Sequence, residues 1–311
     1  MRSPIIDDAL KRPALGVAFF LLVAAFATLG DARGGTTVVD GNAIYPEGPL
    51  WLDGVLYYVE YGGPGVKAWD GGRPRIHWSR AHCGPSGVIL FGDHHLLIAC
   101  YDSNSLVEID TSGKTVRVID RDSGGKPFIG PNDFTADGRG GVYLSASGVY
   151  DLAAPITGKI LHLTADGRLV ALADTIHYPN GLTRSRDGTQ LLVAEMLAAR
   201  ILSFPILPDG GLGERHVWAR LQDIIAPTTH ADAFNGPDGF KLGPDGNYYI
   251  AQNGSGRVLV VDGDRHLVRT VEVDTPYVTN VNFGPGATLY ITGVFDPWKE
   301  PYPGAVYRWQ P

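Results

Sequence analysis

From residue 46 onward, short apolar runs alternate with Gly/Asp turns in a pattern that recurs along the chain. Runs of the type LYYV, LLIA, VYLS, LLVA, YYIA and LYIT each follow such a turn, and a shorter apolar segment opening on a Pro or Thr step precedes each. The copies start at Pro46, Pro85, Pro131, Pro179, Pro237 and Thr279. Period-2 alternation with dense turn residues predicts strands and excludes helical solenoids. The steps between copies are 39, 46, 48, 58 and 42 residues, the size of one four-stranded blade with its loops. Six such units predict an all-β protein, a six-bladed β-propeller. The sixth copy reaches the chain terminus with only three strands, so the β-branched TTVVD at residues 36 to 40 is expected to supply its outer strand. That closure makes residues 36–311 one domain.

Composition narrows the partners. At 311 residues, 44% apolar and 19% charged, the chain can bury a large core. The net charge of -7 comes from scattered charges without a Lys/Arg block, which argues against nucleic acid and anionic membrane surfaces. The N-terminus is of another kind. After Arg2, Lys11 and Arg12 comes the uncharged ALGVAFFLLVAAFATLG, residues 14 to 30, and Ala25-Phe26-Ala27 fits a small-x-small cleavage site. Residues 1–27 are therefore expected to be a signal peptide, with an uncleaved membrane anchor as the alternative, and the body to be periplasmic or secreted. Cys83 and Cys100 flank GPSGVILFGDHHLLIA. If that segment is a hairpin turning near Gly92-Asp93, a disulfide is geometrically possible; two buried free thiols are the other reading.

Equivalent positions of the innermost strands of a propeller converge on its axis. The residue after each step reads Glu47, Ser86, Asn132, Asn180, Asp238 and Asn280, polar in all six copies. Asn, Asp and Ser also suit a turn into a strand, whereas Glu47 gains little from one. Two carboxylates and several amide carbonyls around one point match a hard divalent cation. Calcium fits best, with magnesium or manganese as alternatives, and the lack of Cys or His in the ring disfavours zinc.

These residues carry a resemblance. YPEGPLW, PND, YPNGL, GPDGFKLGPDGNYYIA and TNVNFGPGATLYIT, in that order and at blade spacing, resemble the family of senescence marker protein (regucalcin), gluconolactonases and luciferin-regenerating enzymes over roughly residues 44 to 310. The resemblance implies a propeller with a divalent metal on its axis and, in many members, lactone hydrolysis. It implies Glu47, Asn180 and Asp238 as metal ligands, Asp238 also as the catalytic base, and Asn132 beside the metal as a substrate-binding residue. His82, His177 and His230, each a few residues before a ring position, are candidates to share the proton transfer. Members acting on sugar lactones tend to carry an Arg two residues before the blade-three Asn. Here that position is Gly130, which leaves room for a less polar lactone or ester.

The expected protein is thus a monomeric, metal-dependent lactonase or carboxylic-ester hydrolase acting on a small molecule. The alternative is a non-catalytic propeller that binds a small ligand or a protein at its metal-capped face. Residues 205 to 236, the longest inter-blade insertion, are read as a lid or a long loop. Glu195 with Arg200 is expected to be a local ion pair, and Trp51, Trp69, Trp218 and Trp309 to pack between blades. No G-x-S-x-G elbow or phosphate-binding Gly loop occurs.

Overall fold

The structure, a computed structural model, describes residues 35–92, 94–226 and 235–311. It consists of six four-stranded antiparallel sheets. The first strand of each lies inward: Pro46–Leu52, Pro85–Phe91, Pro131–Ala136, Pro179–Arg184, Pro237–Leu242 and Tyr277–Phe283. Each touches the first strands of both neighbouring blades, so the six form a closed ring around a channel. The last blade is completed by Thr37–Ile44, which pairs antiparallel with Pro303–Trp309 and lies outermost. The predicted closure by the N-terminal strand is therefore observed.

Local chemistry explains the blades. Asp53 and Gly54, at φ of 49° and 84°, form the tight turn whose twist suits a hairpin, and Gly pays no steric cost there. Behind the inner strands, side chains alternate into six apolar clusters, each shared by adjacent blades. Phe240 is fully buried in one of them, worth about 2 to 3 kcal/mol against exposure. Trp309 is buried in another and Trp51 stacks on Tyr290, as expected of inter-blade packing. Cys83 and Cys100 form a disulfide across the base of the hairpin they flank.

The inter-blade insertion is only partly described, and the N-terminal segment is not. Most of the 205 to 236 insertion belongs to the blade: an isolated bridge joins Ile206 to Leu212, and an outer strand, His216–Arg220, and a short helix, Leu221–Ile224, follow. The PTTHADAFN stretch read as a lid lies, up to residue 234, outside the described residues, as does His230. The leader or anchor assigned to residues 1–27 lies outside them too. Glu195 and Arg200 form the local ion pair.

Candidate functional site

At the end of the channel where the inner strands begin lies a cavity of about 260 Å³. Five of the six ring residues line it: Glu47, Ser86, Asn132, Asn180 and Asp238. All are buried. They converge because the strands pack so closely there that the residue after the ring position is Gly in four blades. A Cβ on Gly87 would lie 2.3 Å from the Asn132 carbonyl oxygen, and one on Gly181 would lie 2.5 Å from that of Asp238. Asn280 is buried behind the ring, its Oδ1 accepting the Val281 N–H at 2.8 Å.

The ring residues divide by what their polar atoms do. Ser86 donates to the Pro131 carbonyl at 2.8 Å and so ties two blades together. Asn132 Nδ2 donates to Ser147 Oγ at 3.1 Å, and Ser147 donates to the Pro179 carbonyl at 2.6 Å, which fixes the amide plane. Asp238 Oδ2 accepts from Asn253 Nδ2 at 2.8 Å. Three buried oxygens of the cavity wall have no hydrogen-bond partner: Glu47 Oε2, Asn180 Oδ1 and Asp238 Oδ1. Leaving such atoms unpaired costs about 1 to 3 kcal/mol each, and more when charged. Burial, then the charges of Asp238 and Asp133, push the Glu47 carboxyl well above the usual carboxylate range, with the Gly48 N–H and Asn280 opposing. Burial does the same to Asp238, opposed by Asn253 and reinforced by Asp133.

The unpaired atoms belong to the residues that the resemblance marks as ligands. Oxygen donors alone, two acidic and one amide, suit a hard divalent cation whose charge would relieve the mutual repulsion. Among the described residues no cluster of three or more His, Cys, Asp or Glu exists, as follows from a set in which an amide takes the third place.

Two of the three proposed proton-sharing histidines are elsewhere, and His230 lies outside the described residues. His82 is exposed on a turn at φ 59°, and His177 is half-buried with its N–H donating to Glu195 Oε1 at 2.8 Å. Neither lines the cavity.

What sequence reasoning missed is an aromatic collar above the ring. Tyr45 faces Tyr302 at a centroid distance of 6.1 Å and Tyr61 at 5.2 Å, and Tyr61 lies 6.1 Å from Tyr101. On the other side Tyr101 lies 6.4 Å from Tyr178, Tyr178 lies 4.8 Å from Tyr150, and Tyr150 stacks 6.5 Å from Trp298. Trp298 and Tyr302 share one loop, so the chain of rings ends where it began. A signal was present. Pro46, Pro85, Pro179 and Pro237 pair with Glu60, Cys100, Glu195 and Gln252 on the second strands. The residue after each partner, Tyr61, Tyr101, Met196 or Asn253, lines the cavity.

Comparison with known proteins agrees with this geometry. Residues 45–294 match the family model described as SMP-30/Gluconolactonase/LRE-like region. Diisopropyl-fluorophosphatase of Loligo vulgaris is 26% identical over 67% of this chain and 68% of its own. Pentonolactonase XacC of Haloferax volcanii is 27% identical over 83% and 84%. Among solved structures, a calcium-binding protein, regucalcin, of Agrobacterium tumefaciens superposes with a TM-score of 0.72 at 22% identity, covering 88% of this chain and 92% of that one. A gluconolactonase of Xanthomonas campestris gives 0.72 at 22% identity over 89% of each. With its six blades and its family match spanning most of the propeller, the chain belongs to the SMP-30/gluconolactonase/LRE-like family.

Proposed function

We propose that the protein is a metal-dependent hydrolase that opens a lactone or ester in the channel-mouth cavity. The observation that carries this reading is the trio of unpaired buried oxygens on Glu47, Asn180 and Asp238. Relatives named as lactonases support the reaction class. Glu47, Asn180 and Asp238 would hold a divalent cation, calcium before magnesium or manganese. The chemistry such a cation supplies is polarisation of the substrate carbonyl and stabilisation of the charge that develops on its oxygen.

The chain's own residues do the rest. Asp238, oriented by Asn253, takes a proton from the attacking water; beside a dication a carboxylate is a modest base, and its position against the water is what it contributes. The water oxygen adds to the carbonyl carbon, the acyl C–O bond breaks, and Asp238 returns the proton to the departing oxygen. Asn132, fixed through Ser147, orients the substrate by hydrogen bonding. Acting as a monomer on a small molecule is part of the same proposal, as is a location outside the cytosol. The Cys83–Cys100 disulfide supports the latter, because oxidising compartments preserve such bonds.

The test is metal analysis of the purified protein followed by a lactone and aryl-ester panel with calcium, with chelator, and with calcium restored. Hydrolysis that is lost in chelator and regained with calcium is expected. Asn132→Ala is expected to lower the rate while keeping most of the metal affinity. Metal-loaded protein inert toward the whole panel would sink the reading in favour of a binding module.

A further inference from the structure

Four features of the cavity bear on what it admits. The first is the cost of building the collar. In each of blades one to five the residue before the inner-strand Pro accepts a backbone N–H from the residue past the second strand: Tyr61 to Tyr45, Tyr101 to Gly84, Ser147 to Gly130, Met196 to Tyr178 and Asn253 to Gly236. Where that position turns left-handed, at φ of 54° and 61°, blades two and three use Gly84 and Gly130. Blades one and four place Tyr45 and Tyr178 in the same region, at φ of 47° and 60°, which is unfavourable for a residue with a Cβ. Both rings line the cavity. Backbone strain of this kind persists where a side chain is needed at that spot.

The second feature is that two collar hydroxyls are already committed to protein acceptors. The Tyr101 hydroxyl donates to the Gly148 carbonyl at 2.6 Å and that of Tyr61 to Asp102 Oδ1 at 3.0 Å. Third, no Lys, Arg or His is among the described residues that line the cavity, while its floor carries Glu47 and Asp238. Fourth, nothing larger than Gly fits at position 130: a Cβ there would lie 2.7 Å from the Tyr101 ring and 2.9 Å from the Gly148 carbonyl oxygen. An aromatic face occupies the place from which a longer polar side chain at position 130 would reach in.

We propose that this collar is a stacking site for a flat, uncharged aromatic ring, so that the substrate is an aryl-fused lactone or small aryl ester and not a sugar lactone or an anion. The inference rests on the hydrolytic reading of the same site. A polyhydroxylated ring entering the collar would surrender its water without regaining equivalent hydrogen bonds, which is costly. An aromatic ring would instead gain offset or edge-on contacts with Tyr178, Tyr150 or Trp298. A cavity of about 260 Å³ holds a molecule on the order of ten non-hydrogen atoms, the size of a two-ring lactone.

Binding and turnover test this separately. Calorimetric titration of the calcium-loaded protein uses three lactams, isosteres of lactones that resist opening: 3,4-dihydro-2-quinolinone, δ-valerolactam and gluconolactam. The aryl-fused lactam is expected to bind at least tenfold more tightly than valerolactam, with gluconolactam weakest. Trp298→Ala, in an exposed loop, is expected to cut the aryl-to-aliphatic ratio by about fivefold. Tyr178→Gly, which removes a ring while giving the backbone the residue its sister blades use, is expected to cut it as well. In turnover, dihydrocoumarin should exceed δ-valerolactone in kcat/KM, each normalised to its hydroxide-catalysed rate, by a similar factor. Aryl preference in binding with no hydrolysis of any lactone would uphold the collar and remove the hydrolase reading. Equal affinities for the three lactams, a preference for gluconolactam, or a ratio unchanged in both variants would overturn the proposal.

Discussion

Buried acids occur in two settings at and around blade one, and their fates differ. Asp40 and Glu60 share Lys67, whose Nζ lies 3.2 Å from Asp40 Oδ2 and 2.8 Å from Glu60 Oε1. Tyr58 donates to Asp40 at 2.6 Å and the Ile44 N–H to Glu60 Oε1 at 2.9 Å, leaving Glu60 Oε2 as the one unpaired oxygen of the group. Burial alone would raise the Asp40 carboxyl, but Tyr58, the Asn42 N–H and Lys67 outweigh it and hold it below the usual range. Among the described residues Glu47 and Asp238 have no cationic partner, and their carboxyls move the other way. Burial is common to both settings; the counter-charge is what separates scaffold from site.

The largest effect is expected from Asp238→Asn, which keeps the size and an oxygen donor while removing the base. At saturating calcium the hydrolysis rate should fall by about two orders of magnitude or more, with the melting curve little changed. Full activity in this variant would erase the catalytic half of the contrast. Next comes calcium itself. A ligand at a hundred times its Kd stabilises by about 2.7 kcal/mol, so Tm should climb with calcium in wild type and Lys67→Met but much less in Glu47→Gln. Equal climbs in all three would place the cation elsewhere.

Lys67→Met should lower stability by about 2 kcal/mol, below the range for a fully buried pair because Lys67 is partly exposed. Urea unfolding in chelator reads this directly, and an unchanged midpoint would show that Lys67 is not what holds the two acids. The smallest effect concerns pH. Because the folded carboxyls of Glu47 and Asp238 lie above their ordinary values of 4.5 and 3.8, the native state binds more protons than the unfolded one from there upward. Stability in chelator should therefore fall as pH rises above the ordinary carboxylate range. Glu47→Gln should flatten that slope, and calcium should do likewise. A slope identical in wild type and variant, measured by urea unfolding at each pH, would contradict the raised Glu47 carboxyl.

Much of this was legible in the chain. The Pro-x steps and Gly/Asp turns set the blade count because each copy must build the same hairpins, and repetition mapped six ring positions, Glu47, Asn180 and Asp238 among them, toward one end of the channel. The collar was not legible in the same way. Its rings come from the position before the Pro in blades one and four, from the position past the second strand in blades one and two, and from loops at Tyr150, Trp298 and Tyr302, so no single period collects them. His82 and His177 misled because proximity in sequence to a ring residue says nothing about side-chain direction: His82 sits on an exposed turn and the His177 backbone N–H bonds Glu195. Nor could spacing reveal that Gly130 is filled from outside by Tyr101, since that contact joins the ends of different blades.

The strand Thr37–Ile44 that completes the last blade also fixes an orientation. Ile44 leads directly into Tyr45 at the cavity, while Thr37 lies at the far end of the strand, some seven residues or about 23 Å away. Gly35, the first described residue, therefore lies beside Trp309 and Gln310 at the end opposite the mouth. Protein grafted to a solid support through that end would present its open cavity outward to the bathing solution.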